Sequence, residues 1–318
     1  MKMPPLGFLL ARGHREKQKM QLVREVVPQK DQQKLYSTAV WITVGGNVLL
    51  AAGKALVAYL SGSAAIYSDA ANSVSDVVYS LLLVFGLYMA TRPPDLSHPQ
   101  GHSRFEPLTG LVVTISMFFA CYAAGSNAIE RYKAGGEAIA LNLPTLVLLF
   151  SAAIKAGMFV VIRNLGSKLN SPTLRTAAKD NLSDVLTSAA AFIGVIASTL
   201  IHPLADPIAG MLVAAWIFVQ AFKAGKENLS YLTGVGASTE EVNEFVKAAE
   251  EIPGVLRVHH IMTDYVGPRM IVDLHVNVDG NKTLYESHAI SDAVTRRLEE
   301  FPQVDRVYVH IEPDDWVD

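Results

Sequence analysis

Asp76, Asp180 and Asp184 lie inside stretches of sequence that hold little else water would solvate. The stretches, Ala64–Ala90 and residues 173–200, have the length and apolarity of membrane-spanning helices. Asp180 and Asp184 are four residues apart, as are Asn72 and Asp76, so each pair occupies one helix face at one-turn spacing. An aspartate at the centre of a spanning helix costs about 2.5–3.5 kcal/mol. Three of them require a partner, a wet cavity or a bound cation. Single polar residues such as Asn47, Asn72 or Ser73 serve equally well as hydrogen-bonding glue between helices, but three acids at matching spacing exceed that role. Lys54 and Lys155 are the only mid-span lysines, sit on different helices and can neutralise at most two acids. An acid left without a cation takes a proton instead, which suits exchange of protons for metal.

The set Asn72, Asp76, Asp180 and Asp184 offers only oxygen. Oxygen donors suit Mg²⁺, Ca²⁺ and Mn²⁺, whereas Zn²⁺ favours histidine nitrogen or cysteine sulfur. Mg²⁺ gives up its waters reluctantly, so Mn²⁺ leads and Fe²⁺ follows. Two further clusters contain imidazole. Asp95, His98 and His102 fall within eight residues of a loop that can bend around a metal, or remain solvated. Nearer the C-terminus, strand alternation sets His275 on the face of Asp273 and Asn277, and His310 on the face of Glu312. The same alternation sets His259 opposite Val258 and His260. His259, His275 and His310 then converge, with His288 from a neighbouring helix, or are ordinary surface histidines.

The elements that carry these residues follow from the apolar pattern. Half of the 318 residues are hydrophobic, too many for one soluble domain of ordinary design. Six segments are long enough to cross a bilayer, which takes about 20 apolar residues each: 35–60, 64–90, 107–129, 143–162, 173–200 and 207–224, the last being short. Ser61-Gly62-Ser63 makes the first turn, and Arg92-Pro93-Pro94 ends the second span. Lys and Arg concentrate in the N-terminal tail, the second–third and fourth–fifth loops, and after the sixth span. By the positive-inside rule both termini are cytoplasmic.

From residue 234 the composition becomes that of a soluble domain. Residues 238–251 and 283–301 read as helices, and Ser238 with Glu241 has capping-box spacing. Residues 256–264, 270–278 and 305–312 read as strands, the first two joined at Gly267-Pro268. The expected fold is an α-helical membrane protein: a tail (1–34), six transmembrane helices (35–233) and a cytoplasmic ferredoxin-like α+β domain (234–318). A net charge of −3 leaves no footprint for nucleic acid, and the single cysteine, Cys121, excludes an intrachain disulfide or thiolate metal site. The N-terminus has the wrong order and length for a secretory signal, which favours a cell membrane.

With these residues in place, the chain resembles the cation diffusion facilitator family over all but its tail. Segment 68–76, Ser-Asp-Ala-Ala-Asn-Ser-Val-Ser-Asp, is similar to the family's second-span motif. The resemblance implies a transport site at Asn72, Asp76, Asp180 and Asp184, a loop site at Asp95, His98 and His102, and a regulatory site at His259, His275, His288, His310 and Glu312. Zinc transporters of the family usually carry His or Asp in place of Asn72 and His in place of Asp180, so the all-oxygen set looks like the manganese-exporting branch. Asp69 is then a release-path residue or a helix cap.

The expected function is a homodimeric exporter of Mn²⁺, with Fe²⁺ or Zn²⁺ as alternatives, driven by counter-moving protons and without a prosthetic group. Metal in the soluble domain would draw two copies together. The histidine site would favour Zn²⁺ over Mn²⁺, so the metal sensed need not be the metal carried. Relatives often pair a basic residue at the position of Arg104 with an acid just after the sixth span. Residues 230–234 contain no acid, which leaves that interlock without a partner. An intramembrane aspartyl protease also needs two acids, but its Gly-x-Gly-Asp motif is absent. A non-transporting sensor would leave the intramembrane acids unexplained.

Overall fold

In a computed structural model, residues 30–61, 64–136 and 143–314 are described. The expected tail up to residue 29, the Gly62-Ser63 turn and the side chains of Asp69 and Asn72 lie outside this set. Six long helices come first: α1 (Lys30–Ser61), α2 (Ala64–Ala90), α3 (Phe105–Lys133), α4 (Leu143–Lys168), α5 (Pro172–Leu200) and α6 (Ala205–Leu232). The shortest has 26 residues. At 1.5 Å per residue it exceeds the roughly 30 Å hydrocarbon core, and all six contain apolar windows suited to crossing it. Helix α1 lies beside α2, α3 beside α6 and α4 beside α5, while α5 also packs on α3 and α6. A core of Ala39, Leu83, Leu87, Val113, Ile162, Leu174 and Ala177 joins α1–α5.

The sixth helix is not short. It continues eight residues past its expected end because its polar residues find partners on α5. Asn228 Nδ2 donates to Thr176 Oγ1 at 2.8 Å. Glu227 pairs with Arg175 Nε at 3.0 Å and with Lys179 Nζ at 2.8 Å.

The smaller unit comprises α7 (Thr239–Glu250), β1 (Arg257–Val266), β2 (Arg269–Val278), α8 (Leu284–Glu299) and β3 (Val304–Pro313). Both helices open with capping boxes, Ser238 with Glu241 and Thr283 with Glu286. The sheet order is β1-β2-β3, antiparallel between β1 and β2 and parallel between β2 and β3. A parallel neighbour needs a crossover, and α8 supplies it. Alternation on β2 buries Met270, Val272, Leu274, Val276 and Val278, which pack with Phe245, Ile290, Val294 and Leu298 of the helices. The other face of the sheet is left for Asp273 and His275.

The β1–β2 hairpin has a two-residue tip, Gly267-Pro268, with Val266 paired to Arg269. Gly267 has φ +75°, and a Cβ there would lie 2.5 Å from the Ser103 carbonyl oxygen in the loop between α2 and α3. Asn170 Nδ2, between α4 and α5, donates to the Pro268 carbonyl at 3.0 Å. The tip is thus wedged between the loop joining α2 to α3 and the turn joining α4 to α5. Gly267→Ala combines a left-handed backbone penalty with this collision and should destabilise the chain by about 1–2 kcal/mol. Thermal unfolding of the full-length protein in detergent measures this, and an unchanged midpoint would mean the tip is not packed as described.

Candidate metal centre

Helices α2 and α5 bring Asp76 and Asp184 to opposite sides of one cation-sized space. Its occupant is the ammonium of Lys155 on α4, with Nζ 3.1 Å from Asp76 Oδ2 and 2.7 Å from Asp184 Oδ2. One lysine therefore spans two acids. Its flexible four-carbon stem reaches both from a third helix, yet one ammonium still offsets one charge of the pair, within the limit set by the two mid-span lysines. Asp180 lies within electrostatic range of Asp76, Asp184 and Lys155, and Lys54 of α1 acts on Asp76. The Lys155 side chain is 6% exposed, against 21% for Asp76 and 32% for Asp184, so the carboxylates are the side of the site that a small ion could approach. Asn72 has its backbone on α2 one turn before Asp76, with its side chain outside the described set.

The backbone at Asp76 is fixed by its neighbours. Ser80 Oγ donates to the Asp76 carbonyl at 2.7 Å, and Asn47 Nδ2 of α1 donates to Ser80 Oγ at 2.6 Å. Asn47 is helix glue, one of the two roles open to it from sequence.

The loop between α2 and α3 folds so that Asp95, His98 and His102 each present a ligand atom within 4.8 Å of the others. The Asp95 Oδ1 accepts from the backbone N–H of His98 at 2.8 Å and of Ser97 at 2.9 Å. These bonds, that of His98 first, hold its carboxyl below the usual carboxylate range, so it stays ionised as the pH falls through its ordinary value. His102 is buried, and its Nε2 is 3.4 Å from Asp95 Oδ2.

In the smaller unit His259, His275 and Glu312 meet the same 4.8 Å criterion. Buried Glu312 has His275 Nδ1 at 2.9 Å, His259 Nε2 at 3.0 Å and His310 Nε2 at 3.6 Å. His288 is not brought in. It is exposed on α8 with its Nε2 3.8 Å from Asp292, because α8 packs on the sheet face away from the cluster. One residue was missed. A β-bulge between Val258 and His260 breaks the alternation on β1, so His260 is not opposed to His259: both are exposed, and the His260 ring centroid is 4.9 Å from that of His275. Adjacent histidines in a strand were the one sequence sign of such a break.

Besides the hairpin tip, side-chain contacts link the units. Arg104 Nη2 lies 3.2 Å from Asp264 Oδ2 on β1, so the basic residue has an acidic partner after all. The acid lies not just after the sixth span but a full element later, on the strand whose tip meets the same loop. Arg175 Nη2 donates to Tyr231 Oη at 2.9 Å, and Tyr231 packs edge-on against Tyr265 at 4.9 Å. Burial pushes the Tyr265 hydroxyl up to about 12. Sequence reasoning also passed over Glu106. It is 2% exposed and receives hydrogen bonds from Tyr36 Oη at 2.8 Å and from Ser171 Oγ, clamping α1, α3 and α5 together.

The cation efflux transmembrane domain family matches residues 40–233, and the cation efflux protein cytoplasmic domain family matches residues 237–314. The chain belongs to the cation diffusion facilitator family. An uncharacterized transporter of Methanocaldococcus jannaschii is 37% identical over 85% of this chain and 96% of its own length. The manganese efflux system protein MneS of Bacillus subtilis is 28% identical over 89% of this chain and 97% of its own. The magnetosome protein MamM of Magnetospirillum gryphiswaldense is 28% identical over 80% of both. This family member is a membrane-embedded transporter that exports divalent metal cations, not an enzyme. Six apolar helices followed by a cytoplasmic α+β domain are what the sequence led us to expect.

Glu312 is the only carboxylate in the cytoplasmic histidine cluster among the described residues. Glu312→Gln should therefore weaken binding of Zn²⁺ to that cluster by about tenfold or more, leaving the loop cluster unaffected. Calorimetric titration of the full-length protein with Zn²⁺ reads the change, and an unaltered isotherm would remove Glu312 from the site.

Proposed function

We propose that this transporter exports Mn²⁺, with Fe²⁺ as the secondary substrate, as a proton-coupled homodimer in the cell membrane with both termini cytoplasmic. The observation that carries the reading is the place between Asp76 and Asp184, where one positive centre lies within 3.1 Å of a carboxylate oxygen from each of two helices. Asp180 and Asn72 complete the set, one turn before Asp184 and Asp76 respectively. All the donors are oxygen, which favours Mn²⁺ over the nitrogen-seeking Zn²⁺. The name of the Bacillus subtilis manganese efflux relative agrees. We take residues 35–233 as the membrane domain, residues 234–318 as the cytoplasmic domain and residues 1–34 as the tail.

Metal reaching the site from the cytoplasm exchanges waters for these oxygens. Release on the far side requires another cation to take over the carboxylates, and protons serve when the outside is acidic. The orientation rests on the basic loops. Pairing of two copies is supported by the match to the family's cytoplasmic domain. His259, His275 and Glu312, with His260 and His310 beside them, would hold a borderline ion such as Zn²⁺, and Asp95, His98 and His102 would hold another; both donor sets fit such an ion.

Proteoliposomes test the core of this reading. Asp184→Ala should reduce Mn²⁺ flux to the level of empty vesicles, and a wild-type rate in that variant sinks the site. Collapsing an imposed pH gradient should abolish uphill Mn²⁺ movement, and flux indifferent to the gradient would exclude proton coupling. Replacing Asn72 and Asp180 together by His should shift preference towards Zn²⁺. An unchanged preference for Mn²⁺ would remove the ligand-set argument.

A further inference from the structure

Lys155 belongs to neither ligand-bearing helix, yet its ammonium stands at the centre of the acids. It approaches from α4, is 5% exposed as a residue, and contacts one oxygen from α2 and one from α5. A metal ion held by the same two oxygens, at about 2.0–2.6 Å from each, would sit almost where Nζ now is. Two positive centres cannot share that space, because like charges a few ångströms apart in a weakly screening medium repel strongly. Occupation is therefore exclusive.

We propose that Lys155 is a tethered counter-cation of the transport site. Its ammonium fills the site between ions, must swing aside before metal can take Asp76 and Asp184, and on returning displaces the metal and keeps the vacated carboxylates compensated. The inference rests on the reading of these acids as the transport site. A lysine suits the role. Its charge sits on a long flexible stem, and a compact ammonium makes point-charge contacts that a bidentate group would hold more rigidly. The alternative is a fixed tie that glues α4 to α2 and α5. The two roles differ in sign: removing a fixed tie loosens the site and weakens metal binding, whereas removing a competitor tightens it.

The experiment uses the full-length protein in detergent, and the quantity read is the component of Mn²⁺ binding that Asp184→Asn abolishes. Lys155→Met and Lys155→Gln should each lower the dissociation constant of that component by roughly tenfold or more, with slower turnover in proteoliposomes at saturating Mn²⁺. If wild type has no such component, the transport-site reading itself fails. If the component exists and neither variant binds more tightly, Lys155 is a fixed tie and the proposal is overturned. A measurement on wild type does not depend on the variants folding. Mn²⁺ should increase modification of Lys155 by an amine-reactive reagent, quantified by mass spectrometry, because the metal evicts the ammonium. Modification that Mn²⁺ leaves unchanged or suppresses overturns the proposal.

Discussion

Charge inside a hydrocarbon layer has to be compensated, and this requirement organises the molecule from its centre outward. Three aspartates on α2 and α5 would be costly in isolation. Part of their compensation comes from Lys155 on α4, with Lys54 of α1 also acting on Asp76, so helices that are distant in sequence are committed to one point. Around it, short polar links such as Asn47–Ser80–Asp76 hold the backbone that aims the carboxylates. The apolar surface of the six helices satisfies the bilayer but does not by itself fix how they are arranged. The buried charges and their hydrogen-bonded neighbours do that.

A second compensated acid, Glu106, sets the cytoplasmic border. Its carboxylate collects Tyr36 from α1 and Ser171 from the start of α5, while Thr173 Oγ1 donates to its carbonyl. The first turn of α5 is thus anchored to α3. Seven residues after Thr173, the same helix carries Asp180. Beyond this clamp the soluble unit is attached by the Arg104–Asp264 pair, the Tyr231–Tyr265 contact and the wedge at Gly267. An exposed ion pair such as Arg104–Asp264 contributes little stability, on the order of 0–1 kcal/mol. Its geometry orients the joint, and the packed tip holds it.

Much of this was legible from residue types and spacing. The six spans, the capping box at Ser238, the order of helices and strands in the smaller unit and the four-residue spacing of Asp180 and Asp184 all follow from short-range periodicity. What escaped depends on contacts between distant parts of the chain. Lys155 reads as an isolated mid-span lysine until α4 is seen beside α5. Asp264 reads as an ordinary strand residue until the hairpin meets the loop. His260 was put on the wrong face because one extra residue in β1 shifts the alternation, and bulges leave little trace in composition. His288 follows the helix phase, and that phase points away from the histidine cluster.

The close approach of Gly267 to Ser103 bears on how this chain tolerates change in length. Tight surface turns ordinarily accept inserted residues, since nothing lies beyond them. Here the tip of the β1–β2 hairpin and the loop between α2 and α3 occupy each other's free space. Ser103 stands between His102 of the loop cluster and Arg104 of the interlock. An added residue at the point where Gly267 meets Ser103 would drive the two segments against each other and push apart the donor set and the joint together. Two segments that look like connectors therefore act as spacers of fixed gauge.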